Sequence, residues 1–510
     1  MDKLLRVTAG ALGCLIVVAF QLQFLPFFSR LFVDNRTVWP IVYFGCWTAA
    51  IITTALLLIF QKPIMLRTLP VLVVCALSAA LTFIHPIGPV AKNFLVAMGF
   101  VACGTVLTLA SSPLALLRFS AAATVLNAII CLLDIFFAYG FSNTMGRAAG
   151  LSINANAAAA LLLLGAASAS WAVPHRWRTA FLLITGAAIL VTQARSILFA
   201  AMIIGGLVAA NLIWTRHKNA ARRRSLQWIG NSALGLGLIV WIAVAVFSND
   251  RALFSAKIYL GQIGTSLATL EKARNSIAQD VRSKTATTES TARADNQPNA
   301  AEPSSATSNS AAKPGTDDVV EEITRRMAND IDINSISARG LLLERAFLSY
   351  RKGPLMGQGL DAAHALAPHN MFLLFAVAFG DIGWLVPLAF LALTAWWARG
   401  IQQMPLLLAT TAVMMTSHDL LSPSLLAPIV FGIAGLIWQR HPLNDAMHTL
   451  PALPYIVLAV PPLFALGSLF ALSAATFPAV PQLLLFLVFC TTALWSACVW
   501  RAQKADVSSP

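Results

Sequence analysis

Apolar runs, most of them long enough to cross the hydrocarbon core of a bilayer at about twenty residues, recur along nearly the whole chain. They lie near 4–26, 38–60, 68–85, 90–111, 114–140, 154–173, 178–193, 196–214, 226–248, 370–398, 404–420, 424–438, 453–474 and 480–500. The expectation is an all-α, polytopic integral membrane protein with about 12–14 transmembrane helices. The pair of runs between 404 and 438 is short and Pro-punctuated, and either count leaves both termini on the same side. Composition agrees: 11% of residues are charged, against about 25% in a soluble domain. All seven cysteines fall in apolar runs without metal-ligand or disulfide spacing, which makes them core fillers. Lys3 and Arg6 precede the first run but no small-residue cleavage site follows, so it reads as a retained span.

The net charge of +14 could point to nucleic acid, but its distribution follows the positive-inside rule instead. Alternate loops collect Lys3, Arg6, Lys62, Arg67, Arg176, Arg178, Arg399, Arg440, Arg501 and Lys504, with a dense run from Arg216 to Arg224. The other short loops hold Arg30, Arg36, Lys92, Arg147 and Arg195. Both termini are therefore expected in the cytoplasm, with residues 249–368 outside. This divides the chain into N-terminal transmembrane helices (1–248), a large outer loop (249–368) and C-terminal transmembrane helices (369–510). Within the loop, 275–318 is Ser, Thr, Ala, Asn and Pro with almost no large apolar residue, a composition that predicts disorder. It is readable as a tether or as an unselected insertion. From 319 to 368 helical periodicity returns.

That returning helix carries the most informative stretch. Ile336, Arg339, Leu343, Phe347 and Tyr350 follow at spacings of three and four and share one face, with Arg339 the odd member of an apolar stripe. Arg345 and Lys352 project elsewhere, as solvated charges do. The run Gly353 to Gly359 then breaks the helix, because Pro354 and the glycines favour turns and close backbone approach. It delivers the chain to Pro368, His369 and Asn370, at the mouth of the next apolar run. His369 is the candidate general base, since imidazole titrates near neutrality and a helix N-terminus disfavours its charged form. A capping or interfacial histidine is the alternative. His364, five residues earlier, is the second choice.

Arg147 and Arg195 stand where positive charge is otherwise sparse. An Arg near the membrane interior costs about 2.5 to 3.5 kcal/mol, so it usually has a partner or a function. A pyrophosphate supplies such a partner, since guanidinium binds phosphate oxygens bidentately; snorkelling to headgroups is the alternative. Asp419, at an outer helix end, reads either as a residue that orients the base or binds an acceptor, or as a helix cap. Asp134, Asp381 and Arg118 are too scattered for an ion pathway and read as buried structural pairs.

Arg339 on a short extramembrane helix, the P-x-x-G-x-G turn (Pro354, Gly357, Gly359) and the pair His369-Asn370 opening a membrane helix resemble the signature of the bacterial O-antigen ligase family. That family also includes O-antigen polymerases and protein O-oligosaccharyltransferases. The resemblance runs from roughly Gly140 to Asp419. It extends to an Arg-x-x-Gly…Asn-x-Asn loop, here Arg147, Gly150, Asn154 and Asn156, and to an Arg matching Arg195. One departure is Ala155, where such proteins often have Pro. The family also often shows an acidic residue at about the distance of Asp419 past its His.

The resemblance implies a GT-C-like glycosyltransferase of the bacterial inner membrane with a periplasmic active site. Such a protein moves a preassembled glycan from undecaprenyl pyrophosphate to a sugar hydroxyl of lipid A-core, in lipopolysaccharide biosynthesis. His369 would act as base, and Arg147, Arg195 and Arg339 would bind the donor pyrophosphate. Asn370, Asp419 and His364 would orient the base or bind the acceptor. Protein O-glycosylation and glycan polymerisation share this donor, and a polysaccharide flippase is a more remote alternative. The sequence has no Walker loop, CxxC pair, HExxH or Asp-x-Asp motif, so no metal and no cofactor is expected.

Overall fold

The computed structural model describes residues 2–23, 38–137, 147–216 without 153, 234–244, 334–398 without 354, 403–416 and 421–440. Among these residues all regular structure is helical, with no strand. In chain order the helices are α1 (Asp2–Ile16, continued by a π-turn, Val17–Gln21), α2 (Val38–Phe60), α3 (Lys62–Leu81) and α4 (Pro89–Ala110). There follow α5 (Pro113–Phe137), α6 (Ala155–Ala169), α7 (His175–Thr192), α8 (Arg195–Arg216) and α9 (Leu234–Val244). The later part holds α10 (Asn334–Lys352), α11 (Leu360–Ala365), α12 (Met371–Phe379), a 3₁₀ turn (Gly380–Trp384), α13 (Leu385–Trp397), α14 (Met404–Thr416) and α15 (Pro423–Arg440).

Among the described residues, six stretches are long and apolar enough to cross a membrane: Leu4–Gln21, Lys62–Ile84, Pro89–Ala110, Pro113–Ile135, Met371–Trp397 and Pro423–Arg440. This is a membrane protein built of helices. The expected spans at 453–474 and 480–500, and the tract 275–318, lie outside the described residues. The chain divides into two compact units, one of Met1–Leu253 with Leu341–Pro510 and one of Phe254–Gly340. Of the second unit the backbone of Asn334–Gly340 is described, within α10; the side chains of α10 are described from Leu342 on.

Local chemistry sets the helix ends. Pro89, Pro113 and Pro423 each occupy a first helical position, where the missing N–H costs nothing and φ is already helical. Asn154 caps α6, its Oδ1 accepting from Asn156 N at 2.6 Å and Ala157 N at 3.1 Å.

Packing in the first unit centres on α15, which lies against α4, α6 and α5 and is buried from Ser424 to Ile437. In a membrane, helices associate by close packing and not by expelling water, so small residues mark the crossings. A methyl at Gly104 would press on Val430, and one at Gly435 on Leu117 and Trp171. The helices alternate in direction, which gives the bundle two ends. Among the described residues, Lys62, Arg67, Arg176, Arg178 and Arg440 lie at one set of helix ends, and Lys92, Arg147 and Arg195 at the intervening ones, where the C-terminal part of α10 adds Arg351 and Lys352.

Two spans differ from their expected form. The first leaves the helix at Leu22 instead of running to 26, and Gln23 adopts φ 61°. There Phe20 meets Phe100 of mid-α4 edge-on at 5.3 Å, and Gln21 is buried in a polar cluster on α5. Its Nε2 donates to Ser120 O and Thr124 Oγ1, both at 3.0 Å, while Ser120 Oγ and Asn127 Nδ2 donate to Gln21 at 2.8 and 2.6 Å. The cluster satisfies polar groups that lipid could not.

The second is Met371–Trp397, which is folded back on itself. Gly380 ends α12 with φ 68°, and Gly383 then comes so close to the Phe375 carbonyl that a Cβ would overlap it. Trp384 lies 6.5 Å from Phe372, a residue twelve positions earlier that a straight helix would leave about 18 Å away. The short, almost wholly buried α12 is therefore one arm of a hairpin, and the chain crosses the bundle afterwards through the 3₁₀ turn and α13.

Candidate functional site

The turn before α6 is built around Arg147. Its Nε donates to Thr192 O at 2.9 Å, at the C-terminus of α7, and its Nη2 donates to Asn156 Oδ1 at 2.8 Å, in the first turn of α6. Ala148 N donates to Val191 O at 3.2 Å. From beneath, the buried carboxylate of Asp134 on α5 accepts from Ala149 N at 2.9 Å and Gly150 N at 3.1 Å, both through Oδ2. Gly150 is required here, because φ is 53° and a Cβ would lie 2.9 Å from Cys131 Sγ. Arg195 is the exposed first residue of α8, three positions after Thr192. The structure thus brings Arg147 and Arg195 to one place, at the α7–α8 turn.

A helix N-terminus carries about half a positive charge and a C-terminus half a negative one. Two guanidiniums and the N-termini of α6 and α8 face one C-terminus, that of α7, and one carboxylate, Asp134. Guanidinium N–H groups and helix N-termini of this kind suit an anion with several oxygens.

The glycine turn serves a different purpose. Gln358 N and Gly359 N donate to Val377 O at 2.8 Å and Ala378 O at 2.9 Å, satisfying carbonyls of the last turn of α12 that no helical N–H reaches. Gly357 (φ 70°) and Gly359 (φ 87°) allow this backbone-to-backbone approach, and a Cβ on Gly357 would overlap Ala378. The turn is clasped from two sides. His85 Nε2 bonds Met356 O at 2.8 Å, and Asp361 Oδ1 accepts from Val90 N at 2.9 Å at the start of α4. Ser349 Oγ donates to Gln358 Oε1 and Gln358 Nε2 to Ser349 O, each at 2.9 Å, and Tyr350 OH donates to Asp381. That bond to Asp381 raises the Tyr350 phenol above its ordinary pKa.

At the far end of the hairpin, α11 and α12 meet at the turn that holds the candidate bases. His364 is in the last turn of α11 and His369 directly precedes the cap of α12; both are half-buried. Ala367 and His369 have φ of 43° and 48°, left-handed values that hold the turn in a tight, uncommon form. Asn370 caps α12, accepting from Leu373 N at 3.1 Å, so its side chain is committed to the helix end. His369 does open a helix, as expected, but that helix is the buried hairpin arm. Arg339 lies on α10 in the part described by its backbone, and Asp419 lies outside the described residues.

Sequence reasoning missed the partners more than the residues. Asp134 and Asp381 stood out as acids in apolar surroundings, yet Asp134 receives backbone N–H groups and Asp381 a tyrosine. Arg118 likewise donates to a carbonyl, Ala172 O at 3.2 Å. His85 and Asp361 had no signal beyond their loops. In comparisons with known proteins, no family model and no curated protein matches this chain.

Proposed function

We propose that this protein is a glycosyltransferase of the O-antigen ligase type, set in the bacterial inner membrane with its site on the periplasmic face. It transfers a preassembled glycan from undecaprenyl pyrophosphate to a sugar hydroxyl of lipid A-core. The observation that carries this is the gathering of Arg147, Arg195 and two helix N-termini at the bundle end opposite the basic loops. Such a site neutralises a diphosphate leaving group as charge develops on it. His369 removes the proton from the acceptor hydroxyl, whose oxygen displaces the pyrophosphate at the anomeric carbon and inverts it. By its resemblance to the family's motif, Arg339 is assigned a role in binding the donor pyrophosphate.

One observation favours a transporter: the broken stretch Met371–Trp397, since transporters place binding sites at discontinuous helices. A single reconstitution separates the two. Purified protein in vesicles, given lipid-linked glycan with lipid A-core, a protein acceptor or free glycan, is expected to transfer sugar to lipid A-core without ATP and in excess chelator. Transfer to one of the other acceptors would reassign the family member. Movement of the donor between leaflets with no transfer to any acceptor would overturn the proposal.

A further inference from the structure

Asp134 is 4% exposed near the end of a helix that crosses the membrane, and an ionisable group kept in such a place has work to do there. Its Oδ2 binds the two successive N–H groups that follow Arg147 by two and three residues. Across the same turn, Arg147 is drawn the other way, to Thr192 O and Asn156 Oδ1. Resting on the anion site proposed above, we infer that Asp134 is a positioning residue for Arg147. Its carboxylate pins the Arg147–Gly150 turn to α5 and so sets where the guanidinium meets a diphosphate-bearing ligand.

Three features support this. Gly150 lets the backbone approach closely enough for both bonds, with Cys131 Sγ directly beneath it. The face of α5 that carries Asp134 is anchored, because Ser120, Thr124 and Asn127, at spacings of four, three and seven along it, are tied to the first span through Gln21. And both bonds are charge-assisted, a carboxylate oxygen accepting from two backbone N–H groups, so they hold the turn more firmly than neutral bonds would.

The test is inorganic pyrophosphate binding to the purified full chain by calorimetry, with thermal unfolding measured alongside. Asp134→Ala is expected to weaken binding about tenfold, the scale of charge-assisted hydrogen bonds lost, and Asp134→Asn, whose amide oxygen accepts the same N–H groups, to retain most of it. In an Arg147→Ala background, Asp134→Ala should weaken binding no further, because its effect passes through Arg147. A purely structural aspartate would lower the unfolding temperature in both backgrounds and leave pyrophosphate affinity alone. Should Asp134→Ala not fold, Gly150→Ala strains the same two bonds from the other side and is expected to lose affinity likewise. Wild-type affinity in Asp134→Ala, or in Gly150→Ala where that variant stands in, with weakened binding in Arg147→Ala, overturns this inference and spares the anion site. Wild-type affinity in Arg147→Ala overturns both.

Discussion

At the scale of single residues, the two proposed chemical roles separate in kinetics. Replacing His369 with Ala removes the base and is expected to lower turnover by about 10²- to 10⁴-fold while donor binding stays nearly intact. Replacing Arg339 with Lys keeps the charge but loses the planar fork that grips two phosphate oxygens. It should therefore impair donor binding as well as turnover. Steady-state kinetics with a direct donor-binding assay read both. Near wild-type transfer by His369→Ala would transfer the role of base to His364, which shares the α11–α12 turn.

Among the elements, the reversal between α12 and the 3₁₀ turn that follows it depends on glycine. Gly383→Ala places a methyl against the Phe375 carbonyl with backbone on both sides, so relief requires the two arms to part. The expected cost is about 1 to 3 kcal/mol, seen as a lower unfolding temperature, with activity lost as the turn holding His369 shifts. An unchanged unfolding temperature would mean that the arms are not packed in this way. The clasp of α10 to the reversal has a pH signature. Because the bond to Asp381 raises the Tyr350 pKa, its contribution is whole below the phenol's ordinary value of 10.0 and is lost as pH rises through the raised one. The difference in unfolding temperature between wild type and Tyr350→Phe should be constant through neutral pH and vanish in strong alkali. A difference that grew with pH would assign the wrong partner.

For the whole molecule, the bias of Lys and Arg among the short loops predicts which end faces the cytoplasm. A cysteine placed at Ser305 should react with an impermeant thiol reagent from outside intact cells, and one at Ser225 should not. The reverse pattern would put the arginine site in the cytoplasm, away from a periplasmic acceptor.

Hydropathy by itself determined that this chain is helical and crosses a membrane, because about twenty apolar residues with no competing polar surface have no other stable fate in lipid. Sparse charge at one set of loops was likewise enough to single out Arg147 and Arg195, and the break after α10 was written in Pro354 and its glycines. Tertiary structure alone decided that Met371–Trp397 doubles back, since a continuous apolar run has the same hydropathy straight or folded. It alone decided which backbone groups Asp134 and the Gly357–Gly359 turn meet. Their partners are backbone N–H and C=O groups, which nearly every residue carries, so no pattern of side chains along the sequence could mark which ones would be met.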